Sequence, residues 1–385
     1  MPYTLRVLNV GDGACTVLSS SLGHRERDLA VIDCGVRQGS PKQAGRHLAD
    51  TVAHLGPALL SSVVVSHFDV DHWWGLRHFG EDSRVRGQVS ELDLYYPAMP
   101  CVVPAGVLAF VSRGPYGVAP VDLRQRLEAA IAPGGHLRAT ALVRGDAVTL
   151  AGETFEVLWP PADLLVDDHP FLARAVAGVR KLAAQIPELE ENLTAVEAEL
   201  RESLDPSGRR RDSIDHEQTT RDVDTEELGR PFEDSGNDGY DVPSVNDEED
   251  GEYIDGPKPV NIPPELRDTF TKVYSDIRKA NNDLSLILAS RSGHLVCYGD
   301  ADGPGLEQAA ADLVGTRFFV SLAPHHGTHR IPSIAWSALC VAQAGKHHRH
   351  SWHLHRNSPP HSDNCINLDD SGDLRIRVPN DWPWW

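Results

Sequence analysis

The stretch that most constrains this chain is Ser61-Ser-Val-Val-Val-Ser66, which runs without interruption into His67-Phe68-Asp69-Val70-Asp71-His72. Three consecutive β-branched residues favour a pleated, buried strand, because their stiff side chains pack well on a sheet. The polar run begins where that strand ends. Alternate residues of an extended or turning backbone point the same way. His67, Asp69 and Asp71 can therefore converge, and His72 can reach round the turn. Four metal-ligating side chains within six residues point to a bound cation. Imidazole mixed with carboxylate suits zinc, manganese or iron better than calcium alone.

Similar text surrounds this run. LRVLNVG at 5–11 and DLAVIDCG at 28–35 are short apolar runs ending at glycine, the pattern of strands feeding turns. Ala44, Leu48, Val52 and Leu55 recur at helical spacing and predict a helix over 41–55. LDLYYPA and TFEVLWPP read as strands ending at proline, and DLRQRLEAAIAPGG as a helix stopped by Pro133 and two glycines. Past residue 161 the pattern changes. Leu172, Val176, Val179, Leu182 and Ile186 form one helical stripe; Leu189, Leu193, Val196, Leu200 and Leu204 form a second, as in a helical hairpin or coiled-coil arm. The segment from Asp205 to Asp255 follows, with eighteen acidic and five basic residues, so it holds thirteen of the chain's twenty net negative charges. It is poor in large apolar residues, a composition that predicts disorder. A helix resumes near 263–280, and strand-like text returns with LSLILAS, HLVCYGD and RFFVSLAP. The simplest organisation is one α/β domain in two halves, 1–160 and 276–385, split by an insertion over 161–275.

The second half repeats the strand-then-ligand pattern. Asp300 follows LVCYG, and His325 and His326 follow FFVSLAP, with Gly327 allowing a close backbone approach. A strand-end aspartate or a histidine pair alone means little; their order after the 67–72 run gives them weight. The six cysteines include no CxxC pair, which argues against a disulfide framework or cysteine zinc site. No apolar run approaches the ~20 residues of a membrane span, and the N-terminus lacks a secretory pattern, so a cytoplasmic protein without membrane contact is expected. GxSxG and GxxxxGK[ST] are absent, which leaves serine-hydrolase and P-loop chemistry unsupported.

Taken together, these motifs resemble the metallo-β-lactamase-fold hydrolases. Within them the chain looks most like the branch seen in the hydrolase domain of ComEC-type DNA-uptake proteins and in phosphorylcholine esterases. The likeness covers about residues 4–160 and 276–350 and rests on LNVGDGACTVL, VIDCG, SHFDVDHWWGL, NNDLSLIL, YGD and PHHGT. It implies an α/β fold, the αββα sandwich, here interrupted by a helical plus disordered acidic insertion. It also implies two divalent ions, zinc or manganese. His67 and Asp69 would hold one, Asp71, His72 and one of the paired histidines, His326 in preference to His325, the other, and Asp300 would bridge them. Asp71 would also orient the attacking water, and His325 would stabilise developing charge or protonate the leaving oxygen. Asp33 stands at the family's usual acidic position, and Asn282 where other members carry a third histidine. Asp69 stands where classical lactamases have a histidine, and Ala14 where the family often has aspartate. His350, before Ser351, falls near the place of a Gly-His-Pro element.

The activity implied is hydrolysis of a phosphodiester, with nucleic acid as a candidate substrate. A small phosphoester or other ester fits the acidic chain equally well. A third reading is a scaffold with a weakened metal site, which binds a protein partner through residues 161–275 within a larger system such as a defence complex. The His-rich run at 345–361 leaves two readings open. Lys346, Arg349 and Arg356 could contact phosphates while Trp352 stacks on a base, or the run is a solvent-exposed loop.

Overall fold

The computed structural model describes residues 3–22, 25–98, 119–166, 169–187, 189–190, 193–194, 262–328, 335–355 and 362–379. The acidic part of the expected insertion and the second leucine stripe beyond 194 lie outside the described residues.

Among the described residues fourteen strands form two seven-stranded sheets. The first contains β1 (Tyr3–Val7), β2 (Cys15–Leu22), β3 (Arg25–Cys34), β4 (Leu60–Val64), β5 (Val89–Pro97) and β6 (Ile131–Leu142) in sequence order. The second contains β7 (Ala147–Leu150), β8 (Glu153–Trp159), β9 (Ile287–Ser290), β10 (Leu295–Cys297), β11 (Arg317–Leu322), β12 (Trp336–Ala342) and β13 (Ser362–Asn367), again in order. The last strand, β14 (Leu374–Val378), returns to the first sheet and pairs antiparallel with β1, Leu5 opposite Ile376. Early and late sequence also meet in the second sheet, where β8 pairs antiparallel with β9, Phe155 opposite Ser290.

The two-residue period of the strands builds the layers. In β3, Val31 packs with α1 (Pro41–Leu55), α2 (Val70–Phe79) and α3 (Ala119–Glu128), whereas Ile32 joins Phe155, Leu288 and Leu322 in a core shared by the two sheets. In β9, Leu288 enters that shared core, while Ile287 and Ala289 pack on Leu306 and Ala309 of α6 (Gly303–Asp312). Strands with apolar residues on both faces need cover on both, and the outcome is helix, sheet, sheet, helix. The α/β sandwich expected from the sequence is thus present. A helix pair, α4 (Pro170–Ala183) and α5 (Arg267–Asp283), closes through Leu172, Val176 and Val179 against Val273 and Ile277.

Two local expectations differ. Helix α3 stops at Glu128, and Ile131-Ala-Pro-Gly-Gly begins β6 instead of ending the helix. Pro133 is tolerated because β6 is an edge strand, and the register shifts between Val89 and Glu91 of its partner. Asn281, Asn282 and Asp283 complete α5, so the strand expected over NNDLSLIL begins only at Ile287. Among the described residues no helix is long and apolar enough to cross a membrane.

Candidate metal centre

Strand β4 delivers the HFDVDH run to the gap between the sheets. Val65 N–H still bonds Tyr95 O at 2.8 Å, and Ser66 N–H bonds Asp33 Oδ1 at 2.7 Å. The extended path ends at Asp69 (φ −80°, ψ 147°), the residue before α2. Asp71 and His72 therefore lie in the first helical turn, not on a continued strand, and α2 sets their direction. Gly35 makes this approach possible: a Cβ there would lie 2.4 Å from Asp71 C and His72 N.

Ser285 Oγ accepts the Asp300 N–H at 3.1 Å and so fixes the turn after β10. The paired histidines occupy left-handed backbone, His325 at φ 49° and His326 at φ 55°. Among the described residues four non-glycines have positive φ, and Asp33, His325 and His326 are three of them. Strain of this kind, of order 1–3 kcal/mol each, persists only where surrounding structure enforces it. Here the enforcement is visible. His325 N–H bonds Gly299 O at 2.9 Å, and Trp352 packs so closely on Gly327 that a Cβ there would come within 3.0 Å of its ring.

Asp71, His72, Asp300 and His326 are all buried, and one ligand atom from each lies within 4.8 Å of the others. His72 Nε2 is 3.1 Å from His326 Nε2 and 3.1 Å from Asp300 Oδ1. His326 Nε2 is 3.5 Å from Asp71 Oδ2 and 3.6 Å from Asp300 Oδ1. Ligands about 2.0–2.1 Å from one tetrahedral ion are about 3.3 Å apart, so these separations are those of a shared ion. Asp71 Oδ1, Asp300 Oδ1 and His67 Nε2 are buried without a hydrogen-bond partner. Unsatisfied buried groups are rare in native proteins, and a divalent cation is the ligand this donor set fits.

The surrounding hydrogen bonds prepare the imidazoles. His72 Nδ1 lies 2.9 Å from Asp33 Oδ2, which also accepts the Ser66 hydroxyl at 2.8 Å. His67 Nδ1 lies 3.2 Å from Ser66 Oγ. With the Ser66 proton committed to Asp33, both Nδ1 atoms are donors, which leaves both Nε2 lone pairs for a metal. The two imidazoles differ in charge preference. Burial opposes a charged His72, but Asp300 and Asp33 outweigh it and raise its pKa well above the usual value. Burial and the neighbouring His72 hold His67 down to about 3. Burial would push the Asp300 carboxyl up, yet His326, His72 and His325 hold it well below the carboxylate range.

The other expected residues divide. His67 stands beside the cluster, its Nε2 3.8 Å from Asp300 Oδ2, and His325 Nε2 is 4.0 Å from that same oxygen with its side chain 23% exposed. Asp33 acts through His72. Asp69 does not join the cluster: Arg278 Nη2 lies 3.2 Å from its Oδ2, and Asn281 Nδ2 donates to its Oδ1 at 2.6 Å. Asn281, not Asn282, reaches the HFDVDH run, and its Oδ1 also accepts Phe68 N–H at 3.3 Å. The helical register of α5 selects between the two asparagines, which sequence alone does not. Lys346 and His350 are exposed, and Arg349 pairs with Asp369 and Asp370. Trp352 is buried behind the HHG turn, so it cannot stack on a base, and Arg356 lies outside the described residues. His348 was hidden by its His-rich surroundings; it is partly buried, within electrostatic range of His326, Asp12 and Asp71.

Residues 9–176 match the sequence model of the metallo-beta-lactamase superfamily. No curated protein matches the chain significantly. Among solved structures, the metallo-beta-lactamase fold protein YhfI from Bacillus subtilis is similar at 13% identity, over 41% of this chain and 52% of its own, with a TM-score of 0.26. A beta-lactamase domain protein from Burkholderia ambifaria is similar at 18% identity, over 37% of this chain and 42% of its own, with a TM-score of 0.21. The chain thus spans about half the length of the first and less of the second. The match to the metallo-beta-lactamase superfamily model thus covers residues 9–176, and the sandwich of two mixed sheets is consistent with that fold.

Proposed function

We propose that this protein is a metal-dependent phosphodiesterase, a hydrolase for which nucleic acid is one substrate of the right class. The observation that carries the hydrolase reading is the cluster of Asp71, His72, Asp300 and His326 at the spacing of one ion's ligands. A divalent cation held there would lower the pKa of a reacting water and draw electron density from the scissile bond. Asp33 fixes the His72 ring through Nδ1. Asp71, whose Oδ1 lacks a partner, is placed to accept a proton from the attacking water. His325, partly exposed beside Asp300, is placed to donate a proton to the leaving oxygen. The phosphodiester preference rests on likeness to the ComEC-type and phosphorylcholine esterase branch, with zinc or manganese as the matching cations.

The test combines metal content with turnover. The purified chain, dialysed against a weak chelator, should retain zinc or manganese and hydrolyse bis(p-nitrophenyl) phosphate. Asp71→Ala should lower turnover by roughly 10³-fold or more, the scale of removing a proton acceptor and a metal ligand together. A variant with undiminished rate would refute the hydrolase reading. Faster hydrolysis of p-nitrophenyl phosphate or p-nitrophenyl acetate than of the diester would favour the small-ester alternative. Plasmid and single-stranded DNA then test nucleic acid directly.

A further inference from the structure

We propose that this centre holds a single divalent cation, and that Arg278, clamped by Asp69, supplies the second positive charge that meets an anionic substrate. The inference rests on the hydrolase reading above and deepens it.

The HFDVDH run offers four side chains, but the structure sends them to two destinations. Asp71 and His72 join Asp300 and His326. Asp69 instead receives Arg278 Nε and Nη2, both at 3.2 Å to Oδ2, and Asn281 Nδ2 at 2.6 Å to Oδ1. Both carboxylate oxygens are thereby engaged. Asn281 is itself fixed, because its Oδ1 holds Phe68 N–H, so it ties the run to α5 on two sides. A second cation beside His67 would then find His67 Nε2 and His325 Nε2, 3.8 and 4.0 Å from a shared Asp300 oxygen, but no carboxylate of its own; among the described residues the one group of three or more ligand atoms within 4.8 Å of one another is Asp71, His72, Asp300 and His326. His67 is left buried beside Asp300 with an unpartnered Nε2.

Arg278 is well suited to the second charge. Its side chain is 21% exposed, so it is neither sealed in the core nor free in solvent. Tyr274, one turn earlier on α5, lies within electrostatic range of Asp69, Asp71, Arg278 and Arg37. A guanidinium presents planar, paired donors that match two oxygens of a phosphate, and it cannot be lost as a metal can. With Asp69 neutralising part of its charge and fixing its plane, Arg278 is pre-oriented for a phosphodiester oxygen.

The test counts metal and then separates binding from turnover. Wild-type chain equilibrated with excess zinc and desalted should carry one ion per chain by elemental analysis. Asp69→Asn should still carry one. Two ions in the wild type, falling to one in Asp69→Asn, would overturn the inference while leaving the hydrolase reading intact; no metal and no turnover would defeat both. For bis(p-nitrophenyl) phosphate, Arg278→Ala should raise KM tenfold or more with its single ion retained. Arg278→Lys, which keeps the charge without the fork, should recover part of that loss. An unchanged KM in Arg278→Ala at normal metal content would overturn the role given to the guanidinium. The wild-type ion count needs no variant and decides the stoichiometry even if a substitution unfolds the chain.

Discussion

Asp69 and Asp71 are two residues apart on the same loop, Asp71 buried and Asp69 partly so, yet their surroundings differ. Asp71 stands on the first turn of α2 and meets imidazole from the HHG turn, His326 Nε2 at 3.5 Å. Asp69 stands just before that turn and meets α5, with Arg278 and Asn281 on its two oxygens. The pKa directions differ too. Burial raises Asp69 against the opposing pull of Arg278, whereas His326 and His72 overcome burial at Asp71 and drive it down. The lesson concerns geometry within a motif. Where the backbone changes from extended to helical, neighbouring side chains stop sharing a direction, and each takes the partner its own element offers.

This contrast can be broken from either side. The largest effect is expected at His72: His72→Ala should weaken zinc binding more than 100-fold, beyond the ~10–100-fold typical of residues that only support a ligand. Equilibrium dialysis measures it, and an unchanged affinity would dissolve the distinction between the two limbs. Asp33→Asn comes next. It keeps the shape but weakens the acceptor of His72 Nδ1, so a loss of about 10–100-fold in metal affinity is expected, with His67 little affected. Gly35→Ala probes the backbone that brings Asp71 and His72 in. The added Cβ would meet their backbone at 2.4 Å, so a stability loss of about 1–3 kcal/mol is expected in urea unfolding, with weaker metal binding.

The smallest effect sharpens the comparison from outside the centre. Glu153, held by His294 and Ser292 on the second sheet, has its pKa lowered: burial raises it, but those two partners outweigh burial. A depressed folded-state pKa means stability that is present above the unfolded value, near 4.5, and lost as pH falls through the folded one. Glu153→Gln should therefore lower stability by about 0.5–1.5 kcal/mol at pH 7 and by progressively less below pH 4.5, with zinc affinity unchanged. Thermal melts across pH 3–7 would reveal it, and a pH-independent difference would contradict the assigned cause.

Much of this architecture was legible because it is local. The β-branched run 61–66, the glycine-ended runs near 11 and 35, and the stripe from Ala44 to Leu55 each announce one element, and each is found. The Pro133 region misled because proline and glycine end helices in general, whereas here they start an edge strand. The order of ligand-bearing strand ends also pointed to Asp71, His72, Asp300 and the His325–His326 pair, since each follows or caps an element whose period is visible in the text, but that order did not choose between the two histidines.

The amino-acid sequence by itself determined which groups are available: the strands, the ligand types at their ends, and the acidic segment between the halves. Only the tertiary structure decided which of those groups share a site. Whether Asp69 serves a cation or an arginine depends on the rotation of α5 about 210 residues away, which places Arg278 and Asn281 rather than Asn282 against the loop. Periodicity fixes a helix's faces, but the face turned toward a distant loop is set by packing of α4 against α5, a property of the whole fold.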